Sequence, residues 1–248
     1  MTHALGIDIG GTGIKGAIVD TITGELVSER KKIATPKSGK PDAIVTVVVE
    51  LVAQLGGIAP DMPVGVCFPA IVRNGKTMSA ANISDEWIGL EAEKLFEKAL
   101  GRDIHFVNDA DAAGVAEVRY GAAQGVPGLV LLTTLGTGIG SALIYNGTLV
   151  PNSELGHLEI GGRDAERGAS NSARERRRLS WKAWAKRLQR YYTHLELLFS
   201  PDLFLVGGGV SKSHEKFLPL LKLNTPIRPA ELRNNAGILG AAALAIKE

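Results

Sequence analysis

The sequence predicts an α/β fold of two domains with an intervening cleft, and three observations lead there. Short apolar runs that read as strands alternate with helical stretches. The pattern of strand, glycine-rich turn, strand and helices begins at Leu5 and begins again at Leu129, so the chain reads as an internal duplication. Glycine clusters close three apolar runs, at Gly10-Gly11-Thr12-Gly13, Gly136-Thr137-Gly138 and Gly207-Gly208-Gly209. Ligands commonly bind in the cleft of such an arrangement.

Taken in order, Leu5–Ile9 and Ile14–Val19 are apolar strands, and Glu25–Arg30 is a third with polar alternation, giving an antiparallel meander. Thr35–Pro41 is a loop and Asp42–Leu55 a helix. Val64–Phe68 is a buried strand ending at Pro69. Ser84 or Asp85 caps a helix through Trp87, Leu90, Leu95 and Leu100, which Gly101 stops. Ile104–Val107 is a strand, and an alanine-rich helix follows Asn108-Asp109 as far as Tyr120. Leu129–Thr134 and Ser141–Tyr145 repeat the opening, with Asn146-Gly147 as a hairpin turn. After an irregular stretch come a long helix, Ser180–Phe199, and a strand, Leu203–Val206. Pro219, Pro226 and Pro229 break the chain before a last helix, Ala236–Ile246. Residues 1–108 with 236–248 are expected to form the smaller domain, and 109–235 the larger.

The bulk numbers exclude several classes. Of 248 residues, 45% are hydrophobic and 22% charged, the balance of a globular protein, and the formal net charge is only +2. No global field asks for nucleic acid as a partner. The single cysteine, Cys67, excludes an intrachain disulfide and an all-cysteine zinc site, and reads as a small core residue. No apolar run is long enough to cross a membrane. The first residues run into a strand without a signal-peptide pattern, so a cytoplasmic location is expected.

The glycine turns suit phosphate, because glycine lets backbone N–H groups approach an anion and threonine adds a hydroxyl. Gly11-Thr-Gly13-Ile-Lys-Gly16 also spells the dinucleotide fingerprint, but that motif opens a helix, and here the chain enters a hairpin. In a phosphoryl-transfer reading, Gly10, Gly11 and Thr12 meet the transferred group. Asp8 holds Mg2+, directly or through water, and Lys15 neutralises charge. Asn108-Asp109 stands at a strand end and a helix start. Both are good helix caps, and Asp109 is also placed to act as a general base. Asp111 is the nearby alternative carboxylate, although two residues along a helix turn it elsewhere. Asn82, Glu154 and His157 lie in loops, as residues that read vicinal hydroxyls do, or as simply solvated ones. Between Arg163 and Arg190 ten basic residues stand against three acidic ones. That run is either a solvated helix face or a track for a polyanion, with no nucleic-acid motif beside it.

In chain order, Asp8-Ile-Gly-Gly-Thr-Gly-Ile-Lys15, Ala81-Asn82, Asn108-Asp109, Leu135-Gly-Thr-Gly138, Glu154-Leu-Gly-His157 and Gly207-Gly-Gly209 together resemble the ROK family of sugar kinases. The resemblance implies the actin-like ATPase (ribonuclease H-like) fold. It implies Asp109 as catalytic base, with Asn82, Asn108, Asp109, Glu154 and His157 on glucose and Glu175 as a further candidate. Phosphates would lie on Asp8, Gly10, Gly11, Thr12, Lys15, Gly136, Thr137 and Gly138, and Gly207, Gly208 and Gly209 would lie by the nucleotide. Most members follow the Glu-x-Gly-His motif with a cysteine-rich zinc loop. Here Gly161–Ser180 has no cysteine and carries arginines, so no zinc site is expected. That zinc-less form looks like the polyphosphate-using glucokinases of the family. The implied donors are inorganic polyphosphate and ATP, with Arg174, Arg176, Arg177, Arg178 and Lys182 as the polyphosphate track. A homodimer is also implied. Two alternatives stay open: a sugar kinase restricted to ATP, and a sugar- or polyanion-binding protein without catalysis.

Overall fold

The computed structural model describes residues 2–56, 58–80 and 83–246. The chain divides into two units, Met1–Ala116 with Asn234–Glu248, and Glu117–Arg233.

In the first unit, β1 (His3–Gly10) and β2 (Gly13–Asp20) form an antiparallel hairpin whose last pair is Gly10 with Gly13. β3 (Lys31–Ile33) adds to β2. Then come α1 (Pro41–Gln54), β4 (Val64–Phe68), a small ribbon of β5 (Val72–Arg73) and β6 (Lys76–Thr77), α2 (Ala92–Leu100), β7 (His105–Asn108) and α3 (Asp109–Tyr120). The sheet order is β3-β2-β1-β4-β7, with β1, β4 and β7 parallel. Parallel neighbours need a crossover, and α1 and α2 supply the two.

The second unit repeats this plan. β8 (Leu129–Leu135), β9 (Ile139–Tyr145) and β10 (Thr148–Val150) form a meander. Short helices α4 (Glu166–Ala169) and α5 (Asn171–Arg176), long α6 (Trp181–Phe199), β11 (Leu203–Gly207) and β12 (Ile227–Pro229) follow. Its sheet order, β10-β9-β8-β11-β12, matches the first sheet strand for strand, which is the expected duplication. The last helix, α7 (Ala236–Ala245), returns to the first unit.

Strand alternation sorts the first sheet into two unlike faces. Leu5, Ile7, Ile9, Val64, Val66, Phe68 and Phe106 pack with Ile44, Val48 and Leu51 of α1 and Phe96 of α2. The opposite face carries small residues: Gly6, Gly65 and Cys67 leave room for α7, and Cys67 and Val107 meet Ala112 and Ala241. In the second unit Trp184, Leu188, Tyr191, Tyr192 and Leu195 form the buried stripe of α6, against Leu131, Leu135, Phe204 and Val206. Among the described residues no helix is long and apolar enough to cross a membrane.

Four readings are corrected. The third strand lies at Lys31–Ile33, not Glu25–Arg30, where only Leu26 bridges to Val19. The cause is Ser28, whose hydroxyl accepts the Ile18 N–H at 2.9 Å where a ladder carbonyl would serve. The helix expected from Ser84 is interrupted: Ser84 caps a single 3-10 turn, Asp85–Trp87, and α2 begins only at Ala92. Gly89, at φ +80°, bends the chain there, and Thr77 pairs with Gly89 and Leu90 through backbone bonds. The proline-rich stretch before α7 holds strand β12, which tolerates Pro229 at the sheet edge. Finally, α3 belongs to both units. Ala112 packs against α7, whereas the Glu117 carboxylate accepts N–H bonds from Ala122, Glu231 and Leu232. The division therefore falls inside the helix, at Ala116, rather than before Asp109, and the first unit is the larger.

Candidate functional site

Ligands of open α/β sheets bind outside the carboxyl ends of the parallel strands. In the first unit those ends carry Asp8 on β1, Cys67 on β4, Asn108 as the last residue of β7 and Asp109 directly after it. Lys15 stands directly opposite Asp8 in the β1–β2 register, and its Nζ donates to Asp8 Oδ2 at 2.8 Å. Both side chains keep some exposure, 20% for Lys15 and 15% for Asp8. The thiol of Cys67 lies 3.7 Å from Asp8 Oδ1 and 3.5 Å from the Gly237 carbonyl. Burial pushes that thiol well up, and the charges of Asp8 and Asp109 push it the same way, so Cys67 is a neutral neighbour, not a nucleophile.

The first glycine turn is open. Gly11 has no left-handed φ, and a Cβ there would meet nothing within 4 Å. Nothing in the packing of the chain requires glycine at this position. The Thr35 hydroxyl takes the Gly10 carbonyl, and among the described residues the N–H groups of Gly11 and Thr12 have no partner.

Asn108 behaves as a helix cap. Its Oδ1 accepts from Ala110 N at 2.8 Å and Asp111 N at 3.1 Å, and its Nδ2 donates to Ala70 O at 3.0 Å. With 6% exposure it fixes the start of α3 from inside. Asp109, the next residue, is half-buried, whereas Asp111 is fully buried in the first unit. Asn82 lies outside the described residues.

In the second unit the candidate residues gather around the β8–β9 turn. Gly136, like Gly11, has no left-handed φ, and a Cβ on it would also meet nothing within 4 Å. Gly136 N–H closes the turn on Gly138 O at 3.0 Å. The loop holding Glu154 packs directly beside it: a Cβ on Gly156 would stand 2.2 Å from the Ile139 carbonyl, so only glycine fits there. Ser141 secures the same loop by accepting from Leu155 N at 2.9 Å. Glu154 is half-buried and its carboxyl is raised above the usual range, first by burial, then by nearby Glu166, against the opposing pull of His157. His157 is exposed, with Nδ1 3.4 Å from Asp164 Oδ2. Gly208, at φ +82°, passes so close to Leu135 that a Cβ would lie 2.6 Å from its carbonyl oxygen. Gly207-Gly208-Gly209 thus supports the base of the second turn, and Gly209 itself faces open space.

The basic segment divides. Arg174 is held internally: its guanidinium stacks over the Trp181 ring at 4.1 Å, and its Nε donates to Asn171 Oδ1 at 3.0 Å. Glu175 pairs with the same group, accepting from Arg174 Nη2 at 3.3 Å and from Asn171 Nδ2 at 3.1 Å. Arg174 therefore braces α5 against α6, and Glu175 is engaged on the outer face of α5. Arg176, Arg177, Arg178 and Lys182 are exposed.

Sequence reasoning missed Glu166, Ser172 and Asp164, which touch the second turn or His157. Their signal is tertiary, since each lies in a stretch without regular periodicity.

Proteins of similar sequence and structure narrow the chemistry. A model described as the ROK family matches residues 4–171. Polyphosphate glucokinase of Mycobacterium tuberculosis strain H37Rv is 46% identical over 247 residues, which are 99% of this chain and 92% of that one. The crystal structure of inorganic polyphosphate/ATP-glucomannokinase from Arthrobacter sp. strain KM is similar with a TM-score of 0.94 and 53% identity, covering 99% of this chain and 98% of that one. A ROK family glucokinase from Streptomyces griseus, solved in complex with glucose and AMPPNP, has a TM-score of 0.82 and 26% identity, covering 98% and 99%.

Proposed function

The chain belongs to the ROK family, and from that premise we propose that it moves the terminal phosphoryl group of inorganic polyphosphate, and of ATP, to the 6-hydroxyl of glucose. The observation that carries phosphoryl transfer is the pair of glycine turns. At Gly11 and Gly136 neither backbone conformation nor packing asks for glycine, so the missing side chain serves whatever approaches from outside. The donor and acceptor come from the relatives, one a polyphosphate glucokinase and one a polyphosphate/ATP-glucomannokinase.

The sugar oxygen attacks the terminal phosphorus, the bridging P–O bond breaks, and Asp109 accepts the hydroxyl proton. Shortened polyphosphate or ADP leaves. Lys15 and the turn N–H groups meet the phosphoryl oxygens, and Glu154 and His157 accept and donate to sugar hydroxyls. Mg2+ fits this set of residues. It is commonly held by one or two carboxylates plus phosphates and keeps several waters, and Asp8, partly exposed beside Lys15, offers one such carboxylate. When bound, the ion would neutralise charge on the donor. The reading carries with it a cytoplasmic location and a homodimer, the latter of which sedimentation tests directly.

The deciding experiment measures glucose 6-phosphate formation with polyphosphate and with ATP side by side, with mannose assayed as a second acceptor. Replacing Arg176, Arg177 and Arg178 together by glutamine is expected to lower kcat/KM for polyphosphate about tenfold or more, and to flatten its salt dependence, with a smaller change for ATP. Unchanged use of both donors in the variant would leave these arginines as a solvated face, whereas a wild type that forms product with ATP and none with polyphosphate would be a kinase restricted to ATP.

Glu154→Gln is expected to raise the KM for glucose about tenfold, leaving the KM for the donor nearly unchanged. Burial raises the Glu154 carboxyl, so the group takes up its proton at higher pH than an ordinary glutamate. The wild-type glucose KM therefore rises on acidification, starting above the usual carboxylate range. The Gln variant, which has no proton to gain there, should show a flat profile over that limb.

A further inference from the structure

The second glycine turn is held partly by its own closing bond and partly from outside. Each of its carbonyls is drawn back by a named donor. The Ser172 N–H donates to Gly136 O at 3.1 Å, the Ser172 hydroxyl donates to Thr137 O at 2.5 Å, and the Gly136 N–H donates to Gly138 O at 3.0 Å. On the far side of the turn Glu166 Oε2 accepts the Ile139 N–H at 3.1 Å. Among the described residues the N–H groups of Thr137 and Gly138 have no partner. An anion is repelled by carbonyl oxygens and attracted by N–H groups. A turn whose carbonyls are all occupied and whose next N–H groups are open is sorted for an anion before one arrives.

Ser172 is itself fixed from the core. It is the second residue of α5, whose cap is Ser170, accepting from Ala173 N at 3.2 Å. Arg174, two residues on, locks α5 to α6 through Trp181. Trp184, fully buried in α6, donates from Nε1 to the Ala169 carbonyl at 3.0 Å, at the end of α4. An unbroken series of contacts thus leads from the α6 core to the carbonyls of Gly136 and Thr137.

We propose that Ser172 is a positioning residue for the donor phosphates, acting through the Gly136–Gly138 turn, with Glu166 as its counterpart on Ile139. This rests on the reading of that turn as a phosphate site. The basic segment then has two tasks in sequence order: 166–174 holds the turn, and Arg176–Arg178 present exposed charge. The two tasks separate experimentally, because the turn meets phosphates common to both donors, whereas the exposed arginines matter for a long polyanion.

The test compares wild type, Ser172→Ala and Ser172→Thr. Ser172→Ala keeps the N–H bond and loses the hydroxyl bond, so the KM for ATP and for polyphosphate should rise in parallel, about tenfold. The glucose KM and the melting temperature should stay near wild type, and Ser172→Thr, which restores a hydroxyl, should recover most of the donor affinity. Glu166→Gln, which keeps an acceptor for Ile139, should bind donor better than Glu166→Ala. Unchanged donor KM in Ser172→Ala, or a glucose KM that rises in step, overturns the proposal. Calorimetry with AMPPNP and with tripolyphosphate on the same variants reads binding without turnover. An inactive wild type would then count against the proposed reaction alone, while equal anion affinity in wild type and Ser172→Ala would count against the positioning role.

Discussion

Asp109→Asn should reduce turnover with either donor by about three orders of magnitude, within the range that a positioned general base contributes, while glucose still binds within a few-fold of wild type. The substitution is nearly isosteric, and it can keep the bond at the helix start. Asp109 Oδ1 accepts the Ala110 N–H at 2.8 Å, and an amide oxygen can make the same bond. The helix start does not depend on Asp109, because Asn108 caps it with two accepted bonds and anchors to Ala70. What changes is chemical: an amide cannot accept the proton of an attacking hydroxyl. Product formation under saturating donor, paired with calorimetric glucose binding, separates these effects. Full activity in the variant would remove Asp109 from the reaction. Asp111 could not take over, since it is fully buried within the first unit.

The neighbouring residues Asn108 and Asp109 also show what a sequence does and does not disclose. Their position, at a strand end and a helix start, was legible because apolar alternation stops at Val107 and an alanine-rich period begins. The division of labour between them was not. Only the buried bonds from Asn108 to Ala70, Ala110 and Asp111 show that the asparagine fixes the helix start. Arg174 teaches the same lesson. In sequence it is one of a run of like charges, and only the ring of Trp181 beneath it separates it from Arg176, Arg177 and Arg178. The fold was more legible than the site. The duplicated strand order follows from local periodicity repeated twice, and Val64–Phe68 is a strand with the expected bounds. Errors gathered where a side chain replaces a backbone partner, as Ser28 does, or where distant strands recruit a loop, as Thr77 does with Leu90. Glu166 and Ser172 had no local signal at all, because their partners lie about thirty residues earlier in the chain.

Gly65→Ala is the second large effect, and it acts on the fold rather than the chemistry. A Cβ on Gly65 would stand 1.9 Å from the Ala241 carbonyl oxygen and 2.4 Å from its carbon, both backbone atoms of α7. No rotamer change relieves that contact, so the helix itself must move. It cannot move freely, because a Cβ on Gly6 would meet the Ile238 carbonyl at 2.0 Å and one on Gly240 the Ala112 carbonyl at 1.7 Å. Two close approaches to the sheet and one to α3 therefore fix α7 in place. Overpacking typically costs about 1–3 kcal/mol, and a clash against backbone belongs at the upper end. With about 2–4 °C per kcal/mol for a domain of this size, the melting temperature should fall by roughly 6–12 °C. The consequence reaches the site, since Gly237 in the first turn of α7 lies against Asp8. Displacing α7 loosens the support of the Asp8–Lys15 pair, so donor affinity should weaken along with stability. Gly11→Ala is the contrasting variant. It meets no atom and needs no left-handed backbone, so its melting temperature should match wild type while its donor KM rises. If Gly11→Ala melted early, or Gly65→Ala melted like wild type, the assignment of one glycine to the ligand and the other to the fold would be reversed.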